Sequence, residues 1–497
     1  MNIVLILIDS LSRNFLSAYG ATGYHTPNLD HFAQRATRFE NHYVGSLPCM
    51  PARREIFTGR KEMMWRPWGP LEHYDARLPR ILAEHGYATA IVTDHYHYWE
   101  EAANGYVQCF DSMDLVRGHE LDNWKRSVTD AEEVPEWVKR VERWRPGQAR
   151  RYFANAREFH DESDFTPART MNSAARWLRE NYGKQKFFLQ IESFDVHEPF
   201  YVPEPYSSMY GKGINRDRFT LWPPYQDPDD LARFMATTSE DELSFIRAQY
   251  AGKLSLLDRW LGEVLATLET SSAFNDTCVI LTTDHGHDLG ARGQFGKEYP
   301  HYDSHANIPL FVWLPETASA GGVVGDLTAT VDLFATILDI AGIKENPSPH
   351  SRSFLPLLRG EAAQLHESLI YGTFGQGVCV TDGEWTLFKS PERFDNSELY
   401  VYSTLWYKSL LAREIGAPVD SGRFIPGVDA PQWKFPVRMR MRPRTIENFL
   451  YNRIDDPTQA ANLWAKATEA RTKMLRRLKG MLEAEGCPPE QYKRLGL

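Results

Sequence analysis

Four short, largely apolar runs, each ending in ionisable residues, restrict this chain more than any other feature. They are Ile3 to Ile8 before Asp9-Ser10, Ala88 to Thr93 before Asp94-His95, Lys186 to Glu192 before Ser193 to His197, and Cys278 to Thr283 before Asp284-His285-Gly286. A strand with one wet face alternates apolar and polar residues. A strand apolar at nearly every position is covered on both faces, as in a parallel sheet between layers of helices. In open sheets of that kind, ligands bind beyond the carboxyl ends of the strands. The chain is therefore predicted to be α/β, with a large mixed, mainly parallel sheet sandwiched by helices. Ile308 to Trp313 is a further strand of the same sheet.

At 497 residues the chain exceeds one ordinary core. Up to about residue 365 helices separate the runs. They are expected over Leu78 to Gly86, Tyr250 to Leu268, Thr330 to Gly342 and Phe354 to Gly360, with a short amphipathic one carrying Phe32 and Phe39. Beyond it come short strands at Leu369–Gly372, Val378–Val380, Trp385–Phe388 and Leu399–Val401, then a helix with apolar positions Leu463, Ala467, Ala470, Met474, Leu478 and Leu482. The expected division is residues 1–365 and a smaller α+β subdomain, 366–497, containing an antiparallel sheet. Residues 100–160, rich in Trp, Arg and Glu, read as an inserted satellite core, an oligomer contact or a wall over the site. Arg438, Arg440 and Arg442 alternate on one face of a strand, as at a solvated edge.

The formal charge of −10 argues against a nucleic-acid partner, and no run is long enough to span a membrane. Five scattered cysteines do not make a disulfide framework, and Met1-Asn2 leads directly into the first strand. The expected location is cytoplasmic.

The chemistry centres on Cys49-Met50-Pro51-Ala52-Arg53. If a helix begins at Cys49, Pro51 is tolerated in its first turn, and Cys49 and Arg53 share a face one turn apart. A helix N-terminus offers spare N–H donors and partial positive charge, and a guanidinium adds a planar fork. That is a place for a tetrahedral oxyanion beside a reactive group. Asp9 and the Asp284-His285 pair, just past buried strands, are candidate cation ligands, with a helix N-cap as the plainer role for Asp9. His95 and His97, by spacing alone, fit an ordinary aromatic loop better than a metal site. His197 stands before a proline-broken loop, where a catalytic histidine is well placed.

Cys-x-Pro-x-Arg resembles the signature of the sulfatase family within the alkaline phosphatase superfamily, with Ala52 where serine is usual. Thr26-Pro27-Asn28-Leu29-Asp30, Asp258, the His197-Glu198-Pro199 segment, Asp284-His285-Gly286, Lys297 and Leu450-Tyr451-Asn452 also resemble family features. The resemblance implies that Cys49 is converted to formylglycine by a formylglycine-generating enzyme. It also implies a divalent cation, Ca²⁺ first and Mn²⁺ or Mg²⁺ as alternatives, on Asp9, Ser10, Cys49, Asp284 and His285. Ser10 departs from the usual second carboxylate. By the same resemblance His95, Arg53 and Lys297 bind substrate, His95 replacing a lysine, and His97 and His197 join Cys49, Arg53 and Lys297 in catalysis. The implied reaction is hydrolysis of a small-molecule or saccharide sulfate ester, in which the hydrated formylglycine attacks sulfur and its second hydroxyl then expels sulfate. A phosphonate monoester or phosphodiester hydrolase is the alternative, and a non-catalytic anion-binding protein a lesser one. The three histidines facing the anion, His95, His97 and His197, are expected to titrate near neutrality.

Overall fold

The computed structural model describes all residues except 101–102, 127–133, 212–215, 318–320, 396–397, 406–418 and 438–442. The arginine alternation at 438–442 lies outside the described residues. Eight strands form the main sheet: β1 (Asn2–Ile8), β2 (Thr37–Tyr43), β3 (Ala88–Thr93), β4 (Ser112–Leu115), β5 (Phe187–Ser193), β6 (Thr277–Thr282), β7 (Leu310–Trp313) and β8 (Val323–Ala329). Their spatial order is β8-β2-β7-β6-β1-β5-β3-β4. The segment β6-β1-β5-β3-β4 is parallel, and β7 runs antiparallel between β6 and β2.

The period-2 geometry of a strand explains why β1 is apolar throughout. Val4, Ile6 and Ile8 enter one core, shared with the helices Thr166–Asn181 and Glu240–Thr270. Ile3, Leu5 and Leu7 enter the opposite core, shared with Cys49–Thr58, Leu78–Glu84 and Asp332–Ile340. Each such side chain contributes about 1.5–3 kcal/mol by leaving water. A polar residue anywhere within β1 would forfeit that on one face or the other.

A second sheet follows, built from β9 (Leu369–Thr373), β10 (Val378–Thr381), β11 (Trp385–Lys389) and β12 (Phe449–Asn452), paired antiparallel in chain order. The short strand Ser46–Leu47 extends its edge, parallel to β9. A smaller three-stranded sheet joins Tyr400–Ser403, Asp420–Gly422 and Gln432–Pro436.

Several expectations change. The early helix is Pro27–Arg35, and Phe39 lies on β2 instead, where Thr37 to Tyr43 pairs with β7 on one side and β8 on the other. The helix expected at Tyr250 begins ten residues earlier, at Glu240, capped by the Ser239 side chain accepting from the Glu242 N–H. The helix expected from Leu463 is Thr468–Ala484, so Leu463 and Ala467 precede it, and a further short helix, Pro489–Leu495, ends the chain. Residues 100–160 supply both a sheet-edge strand, β4, and packed helices: Trp137 stacks on Tyr201 and belongs to the first core.

Candidate active site

Beyond the carboxyl ends of β1 and β6, four side chains converge. Oxygen atoms of Asp9 and Asp284, Sγ of Cys49 and a ring nitrogen of His285 all lie within 4.8 Å of one another, and every one is buried. Cys49 opens the helix Cys49–Thr58, and its Sγ is 3.2 Å from His285 Nε2. His285 Nδ1 donates to the Gly286 carbonyl at 2.9 Å, which leaves Nε2 bare towards Cys49. Burial, with Lys297 nearby, pushes the imidazole down to about 3, so it is neutral. Gly286 is required where it stands, since a Cβ there would meet the Ser304 carbonyl at 2.5 Å. Ser10, with φ of 62°, donates its hydroxyl to Asp9 at 2.8 Å and its N–H to Asp284 at 3.2 Å.

Hard carboxylate oxygens with one neutral imidazole suit a divalent cation. Burial and the adjacent Asp9 carboxylate push Asp284 up to about 8, a repulsion that a cation would relieve. The donor set fits a divalent cation.

Arg53 is fully buried below these groups. It donates to Asp9 (2.9 Å), Asp284 (2.6 Å), the Cys49 carbonyl (3.0 Å) and the Glu192 carboxylate at the end of β5. Its fork is therefore directed at the carboxylates that flank Cys49. Burial works against its charge, but Glu192, Asp284 and Asp9 more than offset that and raise its pKa well above the ordinary range. Asp9 remains ionised: against its own desolvation, Arg53 and a bond to His95 hold it well below the usual carboxylate range.

On the other side of Cys49, Lys297 Nζ contacts His197 Nε2. His197 Nδ1 donates to the Glu198 carbonyl at 2.8 Å. Lys297 keeps its charge despite burial, because the Glu198 and Asp9 carboxylates stabilise the ammonium. His95 Nε2 lies 3.6 Å from Asp9, and His97 Nδ1 is 2.8 Å from Glu100. The expectation that the histidines titrate near neutrality fails for two of them. Burial and Arg53 take His95 well below 6.5, and burial and Lys297 do the same for His197.

The sulfatase family profile matches residues 1–343, well over half the chain. The chain belongs to the sulfatase family. It is 27% identical over 403 residues to the multifunctional alkaline phosphatase superfamily protein PehA of Trinickia caryophylli, covering 72% of this chain and 77% of that protein. It is 24% identical over 414 residues to the choline-sulfatase of Rhizobium meliloti (strain 1021), covering 77% of each. The fold is shared with the phosphonate monoester hydrolase of Agrobacterium radiobacter, with a TM-score of 0.66 at 18% identity, over 97% of this chain and 95% of that one. No helix among the described residues is long and apolar enough to cross a membrane.

Several groups around this sulfatase-type site were not singled out from sequence. Glu192 is the third carboxylate on Arg53 and also accepts from the Tyr98 hydroxyl at 2.9 Å. Its place at a strand end was a signal, but nothing local pointed to Arg53. Lys253 donates to the carbonyls of His197 and Pro199, both at 2.8 Å, and pairs with Asp195, so it fixes the loop that carries His197. His287 Nε2 contacts Glu198 Oε1 at 2.9 Å. His119 Nε2 reaches Asp195 at 2.5 Å from the turn after β4.

Proposed function

We propose that this sulfatase-family hydrolase cleaves esters whose acid part is a tetrahedral monoanion, a sulfate ester first. The observation that carries this reading is Cys49 at a helix N-terminus, buried between Asp9, Asp284 and His285 on one side and the charged Lys297 on the other. A divalent cation held by Asp9, Asp284, His285 and the side chain at 49, Ca²⁺ before Mn²⁺ or Mg²⁺, would polarise the ester oxygens. Formylglycine, once a formylglycine-generating enzyme has acted on Cys49, would supply a hydrated aldehyde as nucleophile.

The chain's own residues do the rest. Arg53 aligns Asp9, Asp284 and Glu192 and holds their charge in place. Lys297 fixes one anionic oxygen. His197 is neutral, with Nδ1 donating to the Glu198 carbonyl and Nε2 accepting from Lys297, so it orients that ammonium, which would hold an N–H donor beside the leaving oxygen. His97, only part-buried, and His95, against Asp9, line the substrate side. The burial of every one of these groups except His97 excludes water and strengthens each charge interaction.

A second reading, a phosphonate monoester or phosphodiester hydrolase, is favoured by Ser10. A neutral hydroxyl where the family usually has a carboxylate leaves more positive charge at the cation, and these esters are also monoanions. The fold shared with a phosphonate monoester hydrolase is compatible with that reading. The test is a side-by-side assay of metal-replete, formylglycine-containing protein on 4-nitrophenyl sulfate, 4-nitrophenyl phosphate, bis(4-nitrophenyl) phosphate and 4-nitrophenyl phenylphosphonate. The first reading requires the sulfate to be turned over. Hydrolysis of only the phosphonate and diester would replace it with the second, and a preference for the phosphate dianion would overturn both.

A further inference from the structure

A cavity of about 700 Å³ opens where the chain just past the helix Cys49–Thr58 meets the helix Thr468–Ala484. Its walls come from four stretches far apart in sequence: Lys61, residues 349–352, residues 364–368 and residues 476–485. The helix Cys49–Thr58 has ten residues and is therefore about 15 Å long, and Lys61 lies beyond its far end. The cavity is thus separate from the site around Cys49. Its volume falls within the range of small-molecule sites, about 300–1,000 Å³.

The lining carries four cations, Lys61, Arg352, Arg476 and Arg477, and two carboxylates, Glu367 and Glu485. Lys61 is only 5% exposed, and its Nζ donates to Glu485 at 2.9 Å, across from the N-terminal portion to the end of the long C-terminal helix. An ammonium has three N–H donors, and among the described residues Lys61 spends one of them. Arg477 donates to the Ser368 hydroxyl at 2.8 Å and lies 3.7 Å from Glu367, whose side chain is largely in solvent. Asp382, behind Arg477, is shared with Lys473 at 2.7 Å. Arg352 donates to the Leu365 carbonyl at 3.2 Å, and neither it nor Arg476 has a carboxylate partner among the described residues. In a chain of formal charge −10, this one cavity therefore gathers two more cations than acids. Guanidinium forks match phosphate oxygens, and a phosphate monoester, with its second pKa near 6, supplies close to two negative charges. Leu365 and Met481 give the wall an apolar part, against which an organic body can rest.

We infer that this cavity is a binding site for a small organic phosphate dianion, held between the N-terminal portion and the helix Thr468–Ala484. The excess charge of the cavity selects a dianion, whereas the site around Cys49 is read above as one for a monoanion. That contrast lets the two sites be told apart, and the cavity keeps its charge whatever reaction the Cys49 site performs.

Phenyl phosphate and phenyl sulfate share one shape and differ by one charge at about pH 8, so the pair tests this directly. Titration calorimetry is run at that pH on full-length, metal-replete protein with Cys49 unconverted, so that neither ester is turned over. Arg352 and Arg476 are exposed, so the double variant Arg352→Gln, Arg476→Gln should keep its melting temperature within about 1 °C. It should lose at least roughly tenfold in affinity for phenyl phosphate and less than about threefold for phenyl sulfate. Lys297→Ala, altered at the other site, should lose less than about threefold for phenyl phosphate. Hydrogen exchange should slow over residues 364–368 and 476–485 when phenyl phosphate is added. No binding of phenyl phosphate by wild type, equal losses of both ligands in the double variant, a loss of phenyl phosphate confined to Lys297→Ala, or unchanged exchange over those two stretches would each overturn the site.

Discussion

Replacing Arg53 by methionine tests the electrostatic frame of the site. The side chain is similar in volume, so the packing change is small and the loss is chiefly of charge. Arg53 is the only cation among the described residues that pairs with Asp9, Asp284 and Glu192, all at zero exposure. Breaking a buried ion pair by removing one partner costs about 3–5 kcal/mol. Three carboxylates share this partner, but protonation of Asp284, whose pKa is already pushed up to about 8, relieves part of the repulsion, so the cost stays near one pair's worth. For a unit the size of the matched region, the unfolding entropy is about 0.7 kcal/mol per kelvin, so a loss of about 4 kcal/mol lowers the melting temperature by about 6 °C. The assay is differential scanning calorimetry of wild type and Arg53→Met, in chelator and then in excess Ca²⁺. A bound cation supplies part of the missing positive charge, so the gap should narrow with Ca²⁺. Melting temperatures within about 1 °C in chelator would refute the reasoning.

The raised Asp284 pKa makes a signed pH prediction. In metal-free protein the group is mostly protonated at pH 7, so its contribution to stability is present below the ordinary carboxylate range and is lost as pH rises through about 8. Cation binding must therefore release about one proton at pH 7, read as a buffer-dependent heat in titration calorimetry, and Asp284→Asn should abolish that release and most of the metal content measured by elemental analysis. Lys297→Ala should lower kcat/KM by roughly 10²–10³, with the fold intact by circular dichroism, because it removes a preorganised charge at the anion. Protein co-expressed with a formylglycine-generating enzyme should show an aldehyde at position 49 by peptide mass spectrometry, and fully active protein with an unmodified thiol would exclude that nucleophile.

The sheet was legible because its strands announce themselves by composition: the runs at 3–8, 88–93 and 278–283 became β1, β3 and β6 with little change of boundary. Local rules made Asp9, Cys49, Asp284 and His285 separate candidates at strand ends or a helix start; only the family resemblance joined them into one group. Partnerships across long separations were not. Arg53 meets Glu192 139 residues away and Asp284 231 residues away, and no periodicity encodes that pairing. The actual burial of His95 and His197, which keeps them neutral, is likewise a tertiary property. The strand β4 was hidden because Ser112-Met113-Asp114-Leu115 is a sheet edge, half-exposed and without a long apolar run.

The pairing of Ser46–Leu47 with β9 bears on how the protein can be divided. Gly372 and Thr373 template these two residues, the Gly372 N–H bonds to the Gly45 carbonyl at 3.0 Å, and Glu55 of the following helix accepts from the Ser46 N–H at 2.6 Å. Cys49 follows two residues after that clamp. Cys49 is thus anchored at one end by a segment that comes more than three hundred residues later in the chain. A fragment ending at residue 343 would contain every candidate metal ligand and Lys297, yet the run-up to Cys49 would hang from one side only. Grafting this N-terminal portion onto another scaffold would have to carry β9 with it, or replace it with a strand in the same parallel register.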